Sequence, residues 1–351
     1  MPDIAKHIQP TVAAIYRHYE AKRESAHRPH LGASVIGRPC DRSLWYLFRW
    51  ADSPSFDGRM LRLFRYGWDA EPRFVEELRA VGITVLDVDP DTGRQWTFSA
   101  LGGHFGCSLD GALVGLLERP EKWHLWEAKT SNAKSFAALK KKGVQEAKPE
   151  HYAQMQVGMA LSGMDRALYF VECKDNSELY TERVRANPSE ASRLLDRAER
   201  IIYTEEPLTK ISDDPSWFEC RFCTFADVCH RDKAPEVNCR TCAHATAERD
   251  GTWSCSRWGK TLTVDEQRAG CQSHVFHPAF IETASGPVTR RAIESDGDWI
   301  RYDSGMINGR DDTGSGYSSH EIRAADRIDL LPLPEPLERA RESMSGEIVN
   351  D

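Results

Sequence analysis

Apolar and polar positions along the chain repeat with two periods. Leu109 to Leu117 and Trp123 to Thr130 are apolar, β-prone runs, separated by the turn composition Glu118-Arg119-Pro120-Glu121-Lys122. The pattern predicts a β-hairpin with an acid on each arm. Period two places Glu127 and Lys129 on the same side, roughly 6–7 Å apart at ~3.3 Å per residue, and Asp110 on the partner strand ~4.8 Å away can share that face. An E-x-K tripeptide alone is common on solvated edge strands. Here Trp123, Leu125, Trp126 and Ala128 make the second arm apolar on both faces. That predicts a central, buried strand, where a charge needs a partner or a metal ion.

The period of 3.6 governs much of the remainder. Ile4, Ile8, Val12, Ile15, Tyr16 and Tyr19 fall on approximately one face of a helix over residues 3–26, which Pro10 would break or kink. Ser34 is a possible cap ahead of an apolar helix from Ser43 to Trp50. A further helix runs from Arg62 to Val81, with a stripe of Phe74, Val75 and Leu78, and Gly82 ends it. Strands follow at Ile83 to Val88 and Gln95 to Ala100, then the glycine-rich segment around His104, then the hairpin. Beyond it we expect helices at Ser135 to Lys142, Pro149 to about Ser162 and Pro188 to Tyr203, with strands at Ala167 to Cys173 and Leu179 to Val184. Helices flanking a mixed sheet make the class α/β.

At 351 residues and 40% hydrophobic content the chain can hold two or three folding units. It has no apolar run of transmembrane length, and its first ten residues lack the apolar core of a signal peptide, so a cytoplasmic protein without membrane contact is expected. A net charge of −8 does not advertise nucleic-acid binding, yet the charge is uneven. Ala133 to Lys148 carries five lysines against one glutamate, and Arg38, Arg42, Arg49, Arg59, Arg62 and Arg65 form a second basic region. Such runs are commonly solvated helix faces; beside a cation site they also suit phosphate contacts.

Ten cysteines in a reducing compartment point to metal rather than disulfides. Cys239 and Cys242, then Cys255, then Cys271 with His274 three residues on, close by themselves as a zinc ribbon or knuckle in which His274 rivals Cys271. Cys220, Cys223 and Cys229 form a C-x2-C-x5-C set that lacks a fourth ligand. Of the others, Cys40 has a loop setting among polar and basic residues, Cys173 ends an apolar strand as inert core, and Cys107 is ambiguous. Asp110 and Glu127 converging with Lys129 suit a hard cation such as Mg²⁺ or Mn²⁺.

This constellation resembles the PD-(D/E)xK nuclease superfamily, in its RecB-like iron-sulfur exonuclease branch, and is similar to CRISPR-associated and viral recombination exonucleases. The resemblance covers about residues 31 to 231. Cys40 matches the early cysteine and Cys220, Cys223 and Cys229 the late triplet, which together imply a [4Fe-4S] cluster. Asp110 and Glu127-Ala128-Lys129 match the core motifs, Gly67-x-x-x-Glu71 the first acidic motif, and Gln154 the glutamine on the following helix. Leu109 stands where the motif name has proline, Glu71 where the RecB-type pattern has histidine, and Gly158 where a tyrosine is usual.

The resemblance implies a restriction-endonuclease-like core and a Mg- or Mn-dependent DNA exonuclease of recombination, repair or viral DNA processing. Asp110, Glu127, the Ala128 carbonyl and Glu71 would hold metal, with Lys129 and Gln154 completing the catalytic set. DNA ends or single strands would be the substrate, and a recombination or helicase protein a possible partner, since no G-x-x-x-x-G-K-[ST] loop supplies a motor. The expected organisation is an N-terminal helix over 1–30, the nuclease core over 31–235, a zinc-binding module over 236–280, and a small β-rich segment with a flexible acidic tail over 281–351. Two other readings stay open: a non-catalytic DNA-binding or assembly protein, and a redox-sensing DNA-binding protein.

Overall fold

The computed structural model describes residues 9–22, 27–205, 208–231 and 233–280, with short stretches at 294–295, 299–301, 306–309 and 316–325. The chain divides into two compact units, one of Met1–Leu44, Ser53–Tyr203 and Arg249–Gly251, the other of Trp45–Asp52, Thr204–Glu248 and Thr252–Asp351.

The elements through residue 203 are α1 (Pro10–Ala21), β1 (Leu31–Gly32), α2 (Asp41–Phe48), α3 (Gly58–Ala80), β2 (Thr84–Leu86), β3 (Thr97–Ala100), β4 (Phe105–Ser108), β5 (Gly111–Val114), β6 (His124–Ser131), α4 (Ala133–Ala147), α5 (Pro149–Ser162), β7 (Arg166–Cys173), β8 (Leu179–Arg185) and α6 (Pro188–Tyr203). A five-stranded sheet has the order β2-β5-β6-β7-β8, and a three-stranded sheet the order β1-β4-β3. Strand β6 pairs antiparallel with β5 and parallel with β7, so the larger sheet is mixed and β6 is central. The hairpin forms as its pattern predicts, with Gly111 opposite Trp126 and Leu113 opposite His124.

Alternation along β6 assigns its two faces. Trp126 and Ala128 join Phe74, Val75 and Leu78 of α3 and Leu168 and Phe170 of β7 in one core. Leu125 lies on the opposite face beneath α5, where a Cβ at Gly158 would stand 2.7 Å from Leu125 Cδ1 and 3.1 Å from Leu109 Cδ2. The missing side chain lets this helix sit close on the strand that carries Glu127 and Lys129.

Pro10 heads α1, where a proline gives up no intrahelical hydrogen bond, and the predicted helix positions before Gln9 lie outside the described residues. Two local expectations need correction. Helix α3 starts at Gly58, four residues before the predicted start, since the Asp57 side chain caps it by accepting from the Met60 amide at 2.7 Å. Ser34 caps no helix; it lies in the turn after β1, and α2 begins at Asp41.

The second unit contains α7 (Phe218–Arg221), α8 (Ala226–His230), an antiparallel sheet of β9 (Ala245–Ala247), β10 (Trp253–Cys255) and β11 (Lys260–Leu262), and α9 (Val264–Ala269). Its fixed point is the buried Arg240, whose guanidinium lies 3.8 Å from the Trp50 ring centroid and 4.8 Å from that of Trp253, and donates to Gln267 Oε1 and the Phe48 carbonyl, both at 2.9 Å. Val275, Phe276, Ile300, Met306, Tyr317 and Ile322 form a further small core. Most of the expected β-rich segment and acidic tail over 281–351 lies outside the described residues. Among the described residues no helix is long and apolar enough to cross a membrane.

Candidate active site

The β5–β6 hairpin and helices α3 and α5 bring five predicted residues to one cavity of about 890 Å³. Glu71, Asp110, Lys129 and Gln154 line it, and Glu127 lies directly behind them, bonded to Lys129 and Gln154. Asp110, just ahead of β5, turns back across the hairpin, and its Oδ2 accepts from the Ala128 amide at 2.8 Å. That bond fixes the carboxylate against the strand between the two other motif residues. Glu127 is 1% exposed. Its Oε2 accepts from Gln154 Nε2 at 3.0 Å, while Oε1 is ion-paired with Lys129 Nζ. Lys129 Nζ also lies 3.7 Å from Asp110 Oδ2. The shared face read from the strand period is therefore present.

The electrostatics follow from three carboxylates around one ammonium. Burial, with the charges of Asp110 and Glu71 added, pushes the Glu127 carboxyl up to about 7 against the pull of Lys129. Burial and then Asp110 raise Glu71, again with Lys129 opposing. For Lys129, burial alone would lower the ammonium; the negative charges of Glu127 and Asp110 outweigh it and hold it protonated. Three carboxylates lining or backing one cavity are hard oxygen donors of the kind that Mg²⁺ or Mn²⁺ takes.

Several neighbours escape a reading from local pattern. His151 Nδ1 lies 2.6 Å from the buried Tyr169 hydroxyl, and burial, then Lys129 and Lys148, push the imidazole down to about 3. Cys107 is buried beside the acids and pushed up to about 12, first by burial and then by Glu127 and Asp110, which leaves it an inert thiol. Glu172, on the α3 face of β7, is buried and held by Arg73 at 2.6 Å. His104 is buried edge-on against Tyr203. Trp68, one helical turn before Glu71, lines the cavity and is 65% exposed. The aromatic density of Phe64, Tyr66 and Trp68 was the one sequence signal for it.

None of the ten cysteines, all among the described residues, forms a disulfide. Cys239, Cys242, Cys255 and Cys271 line a separate cavity of about 100 Å³. Burial, and then the other three sulfurs, push Cys239 up to about 12; burial pushes Cys242 up to about 11 against the His244 and Val275 amides that bond its sulfur. His274 borders this cavity, but both its ring nitrogens are engaged elsewhere. Nε2 lies 3.0 Å from the Asn238 carbonyl, which can only accept, so Nε2 carries the proton, and Nδ1 lies 2.8 Å from Ser319 Oγ. Cys220, Cys223 and Cys229 lie in the second unit, with the Phe225 amide donating to Cys223 Sγ at 3.4 Å, and Cys40 belongs to the first unit. Among the described residues no group of three or more His, Cys, Asp and Glu side chains has the geometry of a metal-coordination sphere. At the acid site the Lys129 ammonium stands between the carboxylates.

No protein-family model matches the chain, and no curated protein matches its sequence. The fold is similar to the alkaline exonuclease LHK-Exo from Laribacter hongkongensis, at 19% identity over 53% of this chain and 90% of that one, with a TM-score of 0.37. The same exonuclease in complex with dAMP matches at 19% identity over 50% and 87%, with a TM-score of 0.37. The structure of SSO0001 matches at 14% identity over 62% and 94%, with a TM-score of 0.38. Likeness of this degree is too loose to define a family.

Proposed function

We propose that the chain is a divalent-metal-dependent deoxyribonuclease, an exonuclease of recombination, repair or viral DNA processing. The observation that carries this is the convergence of Asp110 and Lys129 onto one open cavity with Glu127 paired to Lys129 behind them, Gln154 bonded to Glu127, and Glu71 within their electrostatic reach. Asp110, Glu127, the Ala128 carbonyl and Glu71 would hold Mg²⁺ or Mn²⁺. Bound there, the ion supplies positive charge to the phosphate and lowers the pKa of a water nucleophile. Gln154 fixes the Glu127 carboxylate, and the Ala128 amide fixes Asp110. Lys129 presents N–H donors where charge develops on the phosphate and orients the attacking water.

In the same reading the nuclease core spans residues 31–235, between an N-terminal helix and a zinc-binding module over 236–280. Four thiols, Cys239, Cys242, Cys255 and Cys271, are the zinc donors; His274 is left out because its ring nitrogens are used within the fold. Cys40, Cys220, Cys223 and Cys229 would hold a [4Fe-4S] cluster, a donor set of the right number and softness, whose role is structural. DNA is the partner, with a helicase or recombination protein acting beside it.

The test is anaerobic purification with metal analysis, followed by incubation with linear and circular DNA in Mg²⁺ or Mn²⁺. Degradation that requires free ends and is abolished by Asp110→Ala and Glu127→Ala supports the assignment. A wild-type protein that degrades no DNA, or variants that retain full activity, overturn it. Protein lacking iron rejects the cluster, and unchanged iron content in Cys40→Ser rejects Cys40 as its ligand.

A further inference from the structure

Helix α3 carries one face along its whole length, and the character of that face changes at the acid site. Phe64, Trp68, Glu71 and Val75 recur at spacings of four, three and four, so they share a side of the helix. At the C-terminal end Val75 is buried in the core with Phe74 and Leu78. At Glu71 the face enters the cavity. Toward the N-terminus the same stripe leaves the core, with Phe64 39% and Trp68 65% exposed.

Phe64 is partly covered by Phe56, edge-on at 5.0 Å. Trp68 instead lines the cavity beside Glu71. Its backbone is held rigidly: Ala70 and Phe74 are buried just beyond it, and a Cβ at Gly67 would come within 3.9 Å of Thr130 Oγ1, one residue past Lys129. A large, exposed indole on a helix anchored in the core, at the mouth of the cavity, is suited to accept a flat apolar partner.

Accepting the nuclease function proposed above, on which this inference rests, we infer that Trp68 is a stacking platform for an unpaired nucleobase of the strand being cleaved. Three residues of helix, about 4.5 Å of rise, separate Trp68 from Glu71, of the order of the ~3.4 Å step between nucleotides along a strand. The base engaged is therefore that of the nucleotide at the scissile phosphodiester or its immediate neighbour. Bases inside a duplex have both faces covered by stacking; a base free to meet the indole is one in a single strand or at a frayed end. Stacking of this kind tolerates every base, because each has a π-face. The substrate class is thus a single-stranded DNA end, of any sequence.

The test measures the wild-type protein, Trp68→Ala and Trp68→Phe with Mn²⁺ on two diesters: a short single-stranded oligonucleotide, and bis(p-nitrophenyl) phosphate, which has no nucleobase. In Trp68→Ala the ratio of the two kcat/KM values, oligonucleotide over small diester, should fall about tenfold, carried by the oligonucleotide KM. Trp68→Phe should restore most of that ratio. In the wild type, oligonucleotide binding in Ca²⁺ should quench tryptophan fluorescence, and Trp68→Ala should lose most of that quench. An unchanged ratio in Trp68→Ala, with the wild type active on the oligonucleotide, overturns the stacking role and leaves the nuclease assignment standing. A wild type inactive on both diesters removes the nuclease assignment and this inference with it.

Discussion

Replacing Glu127 with glutamine should make the metal-free protein more stable while removing its activity. The wild-type carboxyl rises from an ordinary value of 4.5 to about 7 because it is buried and faces two other acids, even with Lys129 beside it. A folded-state value above the unfolded one means that the native protein binds this proton more tightly. The group therefore favours the fold most below pH ~4.5, and its contribution is lost as pH rises to about 7. Once ionised it costs roughly 3 kcal/mol, at about 1.36 kcal/mol per tenfold change in proton affinity.

Glutamine has nearly the same shape, carries no charge, and its carbonyl can still accept from Gln154 Nε2, which now reaches the carboxylate at 3.0 Å. Lys129 keeps Asp110 at 3.7 Å as a counter-charge. At pH 8, in Mg-free buffer after dialysis, Glu127→Gln should gain about 2–3 kcal/mol, a rise in Tm of roughly 4–12 °C for a unit of this size. At pH 5 the gain should fall to under about 1 kcal/mol. Mn²⁺ should raise the wild-type Tm and leave that of the variant unchanged, while DNA hydrolysis falls by a factor of at least about 100. Calorimetry at the two pH values, with and without Mn²⁺, is the assay. A variant no more stable than wild type at pH 8 would refute the view that burial and two neighbouring acids destabilise the ionised Glu127 beyond what Lys129 offsets.

Other outcomes follow from the second unit. Arg240→Ala should cost about 3–5 kcal/mol, because it opens a cavity between Trp50 and Trp253 and strands the Gln267 and Phe48 acceptors. Urea unfolding followed by the emission of those indoles measures it, and a loss under about 1 kcal/mol contradicts the packing described. Arg240→Lys should not rescue, since an ammonium has neither the planar face nor the fork. His274 is pushed down from 6.5 to about 3, chiefly by burial. A folded value below the unfolded one gives stability that is complete above about pH 6.5 and lost as pH falls toward 3, so acid unfolding of this unit should weaken in His274→Asn. Zinc stoichiometry should drop in Cys271→Ser and hold in His274→Asn; the reverse would make the histidine the ligand.

The site was legible in the sequence where geometry is local. Alternation with period two is a property of any strand, so Glu127 and Lys129 share a face whatever packs on them, and the short turn brings Asp110 to the partner strand. Helices α5 and α6 were legible to the residue, because Pro149 and Pro188 open them. Where a start depended on a single side chain, as with Asp57 ahead of α3, local pattern misplaced it.

Only the tertiary structure decided what meets across elements. Gln154 reaches Glu127 because Gly158 lets α5 settle onto β6, a closeness fixed by Leu125 and Leu109 rather than by any spacing within the helix. A three-residue separation could not show what His274 meets; its ring nitrogens lie within hydrogen-bond reach of Asn238 and Ser319, 36 and 45 residues away. Trp68 reads in sequence as one more apolar position on α3, and its exposure depends on where the core ends along that helix. Chain periodicity sets which side chains share a face, whereas the rotation and depth of one element against another are set by the volumes packed between them.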